Sequence, residues 1–110
     1  MKQSIDFNDF VKAFEYAGRE NQFSRAGLEM LFDYLEQYEQ DTGEELELDV
    51  IALCCDYAEA TAEEIASDYE IEIDLEDEEP LFSQVLQYLN FNTVVCDYDE
   101  DANIIVFNQF

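Results

Sequence analysis

Carboxylates dominate any chemistry this chain can do. Glu29, Asp33 and Glu36 fall at i, i+4 and i+7, so a helix would hold them on one side with neighbours roughly 5–6 Å apart. Glu44 leads into the alternating acids Glu45, Glu47 and Asp49, and a second alternation runs Glu70, Glu72, Asp74. On strands, such residues project to one side at intervals of about 6.6–6.8 Å. Glu63, Glu64 and Asp68 before the second alternation, and Glu76 and Asp77 after it, extend the acidic tract. These spacings approach that of neighbouring phosphates on a nucleic-acid strand, which carries one charge per about 3.4 Å of axis. Carboxylates held in such an array can present the outline of a duplex to a groove lined with Lys and Arg, and counterion release favours the association. The same residues can also form a merely solvated, highly soluble surface.

Other chemistries fit less well. Asp97-Tyr-Asp99-Glu-Asp101 followed by Asn103 and Ile104 imitates a calcium loop. However, Ala102 replaces the glycine needed for the sharp turn and Asn108 replaces the bidentate glutamate. A charged hairpin turn is the better reading. The chain has no His, no Gly-rich phosphate loop and no nucleophile motif, so it is expected not to be an enzyme and to need no cofactor or metal. Cys54 and Cys55 are adjacent; on a strand they would face opposite ways and be poorly placed to pair. With Cys96 they are expected to be reduced, buried thiols of a cytoplasmic protein. Tyr34, Tyr38, Tyr57, Tyr69 and Tyr98 lie among acids. Their rings can pack against partner Arg side chains or simply serve the fold.

The charge balance is one-sided. Lys2, Lys12, Arg19 and Arg25 are the only basic residues, and from Ala26 onward there are 25 acids and no base, giving a formal charge of -25. Like charge at this density weakens the compact state, so a chain that tolerates it is expected to use it on a strongly basic partner. Such a surface repels both nucleic acid and anionic membranes, and no apolar run is long enough to span a bilayer. With 48 % hydrophobic residues, 15 % aromatics and a single Pro, the 110 residues are expected to fold as one acidic domain, 1–110.

The elements that must position these groups follow from periodicity. Phe7, Phe10, Val11, Phe14 and Ala17 define a first helix, capped by Asp6 or Asn8 and stopped at Gly18. Ser24 begins a second, with Leu28, Leu31, Phe32 and Leu35 inward, running to about Gln40 and ending at Asp41-Thr42-Gly43. Alternation from Leu46, feeding the apolar run Val50 to Cys55, predicts a central strand; a helix capped by Asp49 is the rival reading. Thr61-Ala-Glu-Glu64 is a capping box opening a helix through about Tyr69. Ile71 to Leu75 reads as an edge piece or a loop. Pro80 fits the first position of a helix containing Leu81, Phe82, Val85, Leu86 and Leu89, with the preceding acids complementing its dipole. Residues 93–98 and 103–107 form a terminal hairpin. The sum is an α+β domain with a small three-stranded antiparallel sheet and about four helices.

The segment Glu47-Leu-Asp-Val-Ile-Ala-Leu-Cys-Cys-Asp56 and the terminus Ile104-Ile-Val-Phe-Asn-Gln-Phe110 resemble a recurrent group of small phage proteins. In composition the chain is similar to DNA-mimic inhibitors: phage antirestriction proteins, uracil-DNA glycosylase inhibitors and anti-CRISPR proteins. That resemblance implies an inhibitor in a bacterial host cytoplasm that occupies the basic nucleic-acid-binding cleft of a defence complex, a restriction enzyme or CRISPR effector. The acids named above would make the contact. An acidic adaptor or chaperone, binding a basic DNA- or RNA-binding protein without displacing its nucleic acid, is the alternative. Whether the chain forms a homodimer is left open by the sequence.

Overall fold

In the computed structural model, which describes residues 5–19, 21–74, 76 and 78–110, four of the five helices begin where a side chain accepts from a free first-turn amide, and the fifth, after Pro80, has no such bond. Helix α1 spans Phe7–Tyr16 and is capped by Asp6. The Asp9 amide donates to Asp6 Oδ1 at 2.8 Å and the Asp6 amide donates to Asp9 Oδ2 at 3.2 Å, a reciprocal capping box. It ends in a Schellman turn, with Gly18 at φ +74°, the Gly18 amide donating to Glu15 O and the Arg19 amide to Phe14 O. Helix α2 spans Arg25–Thr42; Ser24 Oγ caps it by accepting from the Gly27 amide at 3.0 Å, and Gly43 closes it at φ +73°.

The apolar run after Asp49 is not a strand. Residues Val50–Asp56 form helix α3, and Asp49 Oδ1 caps it by accepting from the Ala52 amide at 3.1 Å. Val50, Leu53 and Cys54 turn inward at helical spacing while Ile51 and Cys55 face solvent, a periodicity that an unbroken apolar run conceals. Residues 44–49, expected as an alternating strand, have no regular structure. The third strand comes directly after α3 as β1, Tyr57–Ala60. Two of its four residues are alanines, which gave it little strand signal.

Helix α4 (Ala62–Asp68) opens on the Thr61 and Glu64 capping box. Residues 71–74 are irregular, and Leu75 and Asp77 lie outside the described residues. Helix α5 spans Leu81–Asn92, with Pro80 at its N-cap (φ −67°, ψ 160°) rather than its first turn. Strands β2 (Val95–Asp99) and β3 (Ile104–Asn108) form the terminal hairpin. The described residues thus hold five helices and one antiparallel sheet, ordered β1-β3-β2.

Strand β3 is central, and the sheet divides the core in two. Val106 faces a cluster of Phe10, Phe14, Leu28, Leu31, Leu35 and Val50 from α1, α2 and α3, with Phe23 from the turn before α2. Ile105 and Phe107 face Ala62, Ile65, Phe82, Val85 and Leu89 from α4 and α5. Cover on both faces accounts for the continuous apolar run in β3. The register between β2 and β3 slips between Val95 and Asp97. This bulge places Tyr98 opposite Ile105, where its ring meets Phe82 at 5.8 Å; strict alternation would have turned Asp97 into that core.

One carboxylate ties β1 to α2. Glu59 Oε1 accepts from the Ser24 amide at 2.8 Å and from Ser24 Oγ at 3.0 Å, at the positive end of the α2 dipole. It fits because Gly27 has no side chain: a Cβ there would lie 1.7 Å from Glu59 Oε1. Glu59→Ala is therefore expected to cost about 1 kcal/mol in the wild type and close to nothing in a Gly27→Ala background. With Glu59 gone, Gly27→Ala should stabilise by up to about 1 kcal/mol through helix propensity. A double-mutant cycle of urea midpoints measures this coupling.

Candidate functional site

The predicted acids separate into two sets, one on each side of the sheet. Glu29 and Asp33 are exposed and Glu36 half-buried on the side of α2 opposite Leu28, Leu31 and Leu35. Glu44, Glu45 and Glu47 are exposed on the segment between α2 and α3, whose neighbours Leu46 and Leu48 pack into the same cluster. This first set lies on the α1–α3 layer. Glu63, Glu64 and Asp68 on α4, and Glu70, Glu72, Asp74 and Glu76 beyond it, are exposed on the opposite layer. Asp77 lies outside the described residues.

The strand-based spacing argument is corrected by this arrangement. Neither 44–49 nor 70–74 is a strand, and Glu70 sits at φ +51° in the turn leaving α4. What remains is the helical row on α2, the acids of α4, and acids on irregular segments, several of them pinned by side chains. Gln84 of α5 accepts from the Asp74 amide at 2.9 Å and donates to the carbonyls of Asp74 and Glu79 at 3.0 and 2.9 Å. Gln87 Nε2 also donates to the Glu79 carboxylate. Asn103, at φ +55°, accepts from the Ala62 amide at 3.2 Å and donates to Glu63 Oε2 at 2.7 Å. That bond holds the Glu63 carboxyl below its ordinary range. Neither Gln84 nor Asn103 was identifiable in advance, because their partners are 5–41 residues away.

The calcium-like tract closes a turn. Asp97 Oδ1 accepts from the Tyr98 amide and Asp99 Oδ1 from the Ala102 amide. Among the described residues no group of His, Cys, Asp and Glu is arranged to hold a metal ion.

The tyrosines divide as well. Tyr69 stacks on Phe110 at 4.4 Å and meets Phe107 edge-on at 6.0 Å, so it serves the core, whereas Tyr98 is 48 % exposed and touches that core only through Phe82. Tyr34, Tyr38 and Tyr57 instead line a cleft of about 370 Å³ with Glu47 and Asp56. Its wall is anchored by Gln109, whose amide donates to Asp56 O at 2.8 Å and whose side chain donates to Tyr57 O at 3.1 Å. Burial, with the neighbouring phenol of Tyr34, pushes the Tyr57 hydroxyl up to about 12, and burial also raises Tyr34. Both rings are therefore neutral at physiological pH.

All three cysteines are free, but they are not uniformly buried: Cys54 and Cys96 are half-buried and Cys55 is exposed. Burial raises the Cys54 thiol, against the opposing charge of Arg19, and burial beside Asp97 pushes Cys96 up to about 12. Iodoacetamide at about pH 8 should therefore alkylate Cys55 first, with Cys54 and Cys96 at least about tenfold slower until denaturant equalises them. Peptide mass mapping over time reads the order.

No helix among the described residues is long and apolar enough to cross a membrane. No family model matches the chain, and neither a curated protein nor a solved structure matches it.

Proposed function

We propose that this protein is a non-enzymatic DNA mimic that occupies the basic nucleic-acid-binding cleft of a bacterial defence complex, a restriction enzyme or CRISPR effector. The observation that carries this reading is charge per length. The molecule measures 51 × 30 × 23 Å, and its radius of gyration of 15.0 Å exceeds the roughly 13 Å of a compact chain of this size. A duplex 51 Å long carries about 30 charges at one per ~1.7 Å of axis, against a formal -25 here. The two acidic layers give this body negative charge on opposite sides, as a duplex has. Within them, the row on α2 and the segment after it face outward from a well-packed helix and make the primary contact. The Gln84 and Asn103 clips limit the freedom of the second layer, which lowers the entropy lost on binding.

The test is capture from bacterial lysate on immobilised chain, with and without excess duplex DNA. A captured DNA-binding protein that duplex releases supports the mimic. Capture that survives saturating duplex replaces this reading with the adaptor or chaperone.

A further inference from the structure

The cleft between α2, α3 and β1 allows a more specific assignment, which rests on the reading above for its natural occupant. We propose that it is a pocket for one arginine side chain of the partner, seated against Tyr34, Tyr38 and Tyr57 and held at its charged end by Glu47 and Asp56.

The chemistry of the lining selects this occupant. A volume of about 370 Å³ lies at the small end of ligand clefts, which run from about 300 to 1,000 Å³, and accommodates one long side chain. Leu35, Leu46 and Leu53 add apolar wall suited to a methylene stem. Tyr34 and Tyr57 meet edge-to-face with centroids 6.1 Å apart, and Tyr38 is 41 % exposed at the opening. Aromatic rings attract a cation through their negative faces. The two carboxylates come from different elements, Glu47 from the segment after α2 and Asp56 from the end of α3. A guanidinium suits this combination better than an ammonium, because it is planar, weakly hydrated, stacks on rings and offers five donors in a fixed fork. A formal charge of -25 disfavours any anionic occupant. The chain itself uses the same contact elsewhere: Arg25 lies over the Phe7 ring at 5.3 Å.

The test titrates the full chain with a capped tripeptide carrying Arg, and with its Lys and citrulline counterparts, followed by NMR. Saturable shifts confined to Tyr34, Tyr38, Glu47, Asp56, Tyr57 and Asn108 are expected with Arg, and none with citrulline. Tyr38→Ala and Glu47→Gln should each weaken binding about fivefold or more, while Tyr38→Phe and the pair Glu100→Gln, Asp101→Asn, exposed on the terminal hairpin turn, stay within about twofold. Glu47 is exposed on an irregular segment, so its variant keeps the test valid should Tyr38→Ala fail to fold. Non-saturating shifts over the whole acidic surface, an equal response to citrulline, or unchanged affinity in Glu47→Gln would overturn the pocket. Equal binding of the Lys peptide would overturn the guanidinium assignment. No partner protein is present in this titration, so its failure is separate from a failure of duplex DNA to release the captured protein.

Discussion

Phe10→Ala is expected to cost about 3–5 kcal/mol and to leave much of the protein unfolded at 37 °C in low salt. Phe10 is fully buried in the cluster beneath α2, with its ring 5.0 Å from Phe14 and 5.2 Å from Phe32. Truncation loses both the transfer energy and the ring contacts, and it leaves a void between two helices fixed by their caps. Domains of this size are held by about 5–15 kcal/mol, and uncompensated negative charge is expected to put this one toward the lower end. Ile51→Ala is the control: that side chain is 50 % exposed on α3 and its loss should cost under about 1 kcal/mol. Urea unfolding followed by circular dichroism compares the two.

Salt should move stability and binding in opposite directions. Added NaCl screens the self-repulsion of a chain with formal charge -25 and should raise Tm by about 5–10 °C between low salt and about 0.5 M, equivalent to about 1–2 kcal/mol. The same salt should weaken partner binding steeply, because that attraction is between exposed charges. Neutralising Glu29, Asp33 and Glu36 together, as Gln, Asn and Gln, should reproduce both effects at fixed salt. Melting temperature rises, while affinity for the partner falls about 30- to 100-fold, about 0.7–0.9 kcal/mol per charge. Any one of the three substitutions alone should change affinity only a fewfold. Calorimetric melting and competition binding on the same samples decide the matter; a triple variant that binds as tightly as wild type removes α2 from the contact surface.

The helices whose signals are local were legible in the sequence. The Thr61 and Glu64 box, Ser24 with Gly43, and Asp6 with Gly18 each satisfy backbone groups within a few residues, so residue type at fixed spacing suffices. The α+β class and the terminal hairpin followed from the same kind of local pattern. The segment after Asp49 was ambiguous because six consecutive residues from Val50 to Cys55 are apolar or small, which suits a buried strand and a short helix equally. The Asp49 cap and the one-sided burial of α3 settle it as helix, and that shift moves the strand on to Tyr57.

By itself the sequence determined the excess of negative charge, the number and type of most elements, and the outward row on α2, since all of these depend on composition or on contacts within one turn. Only the tertiary structure decided that the acids fall on two opposite layers, and that β3 runs between two cores. It also decided that three tyrosines from α2 and β1 meet two carboxylates in one cleft. Those arrangements come from pairings such as Tyr57 with Asn108 and Glu59 with Ser24, which join residues 35–51 positions apart. Contacts at that separation are selected by how whole elements bury their apolar faces together, and no local pattern encodes them.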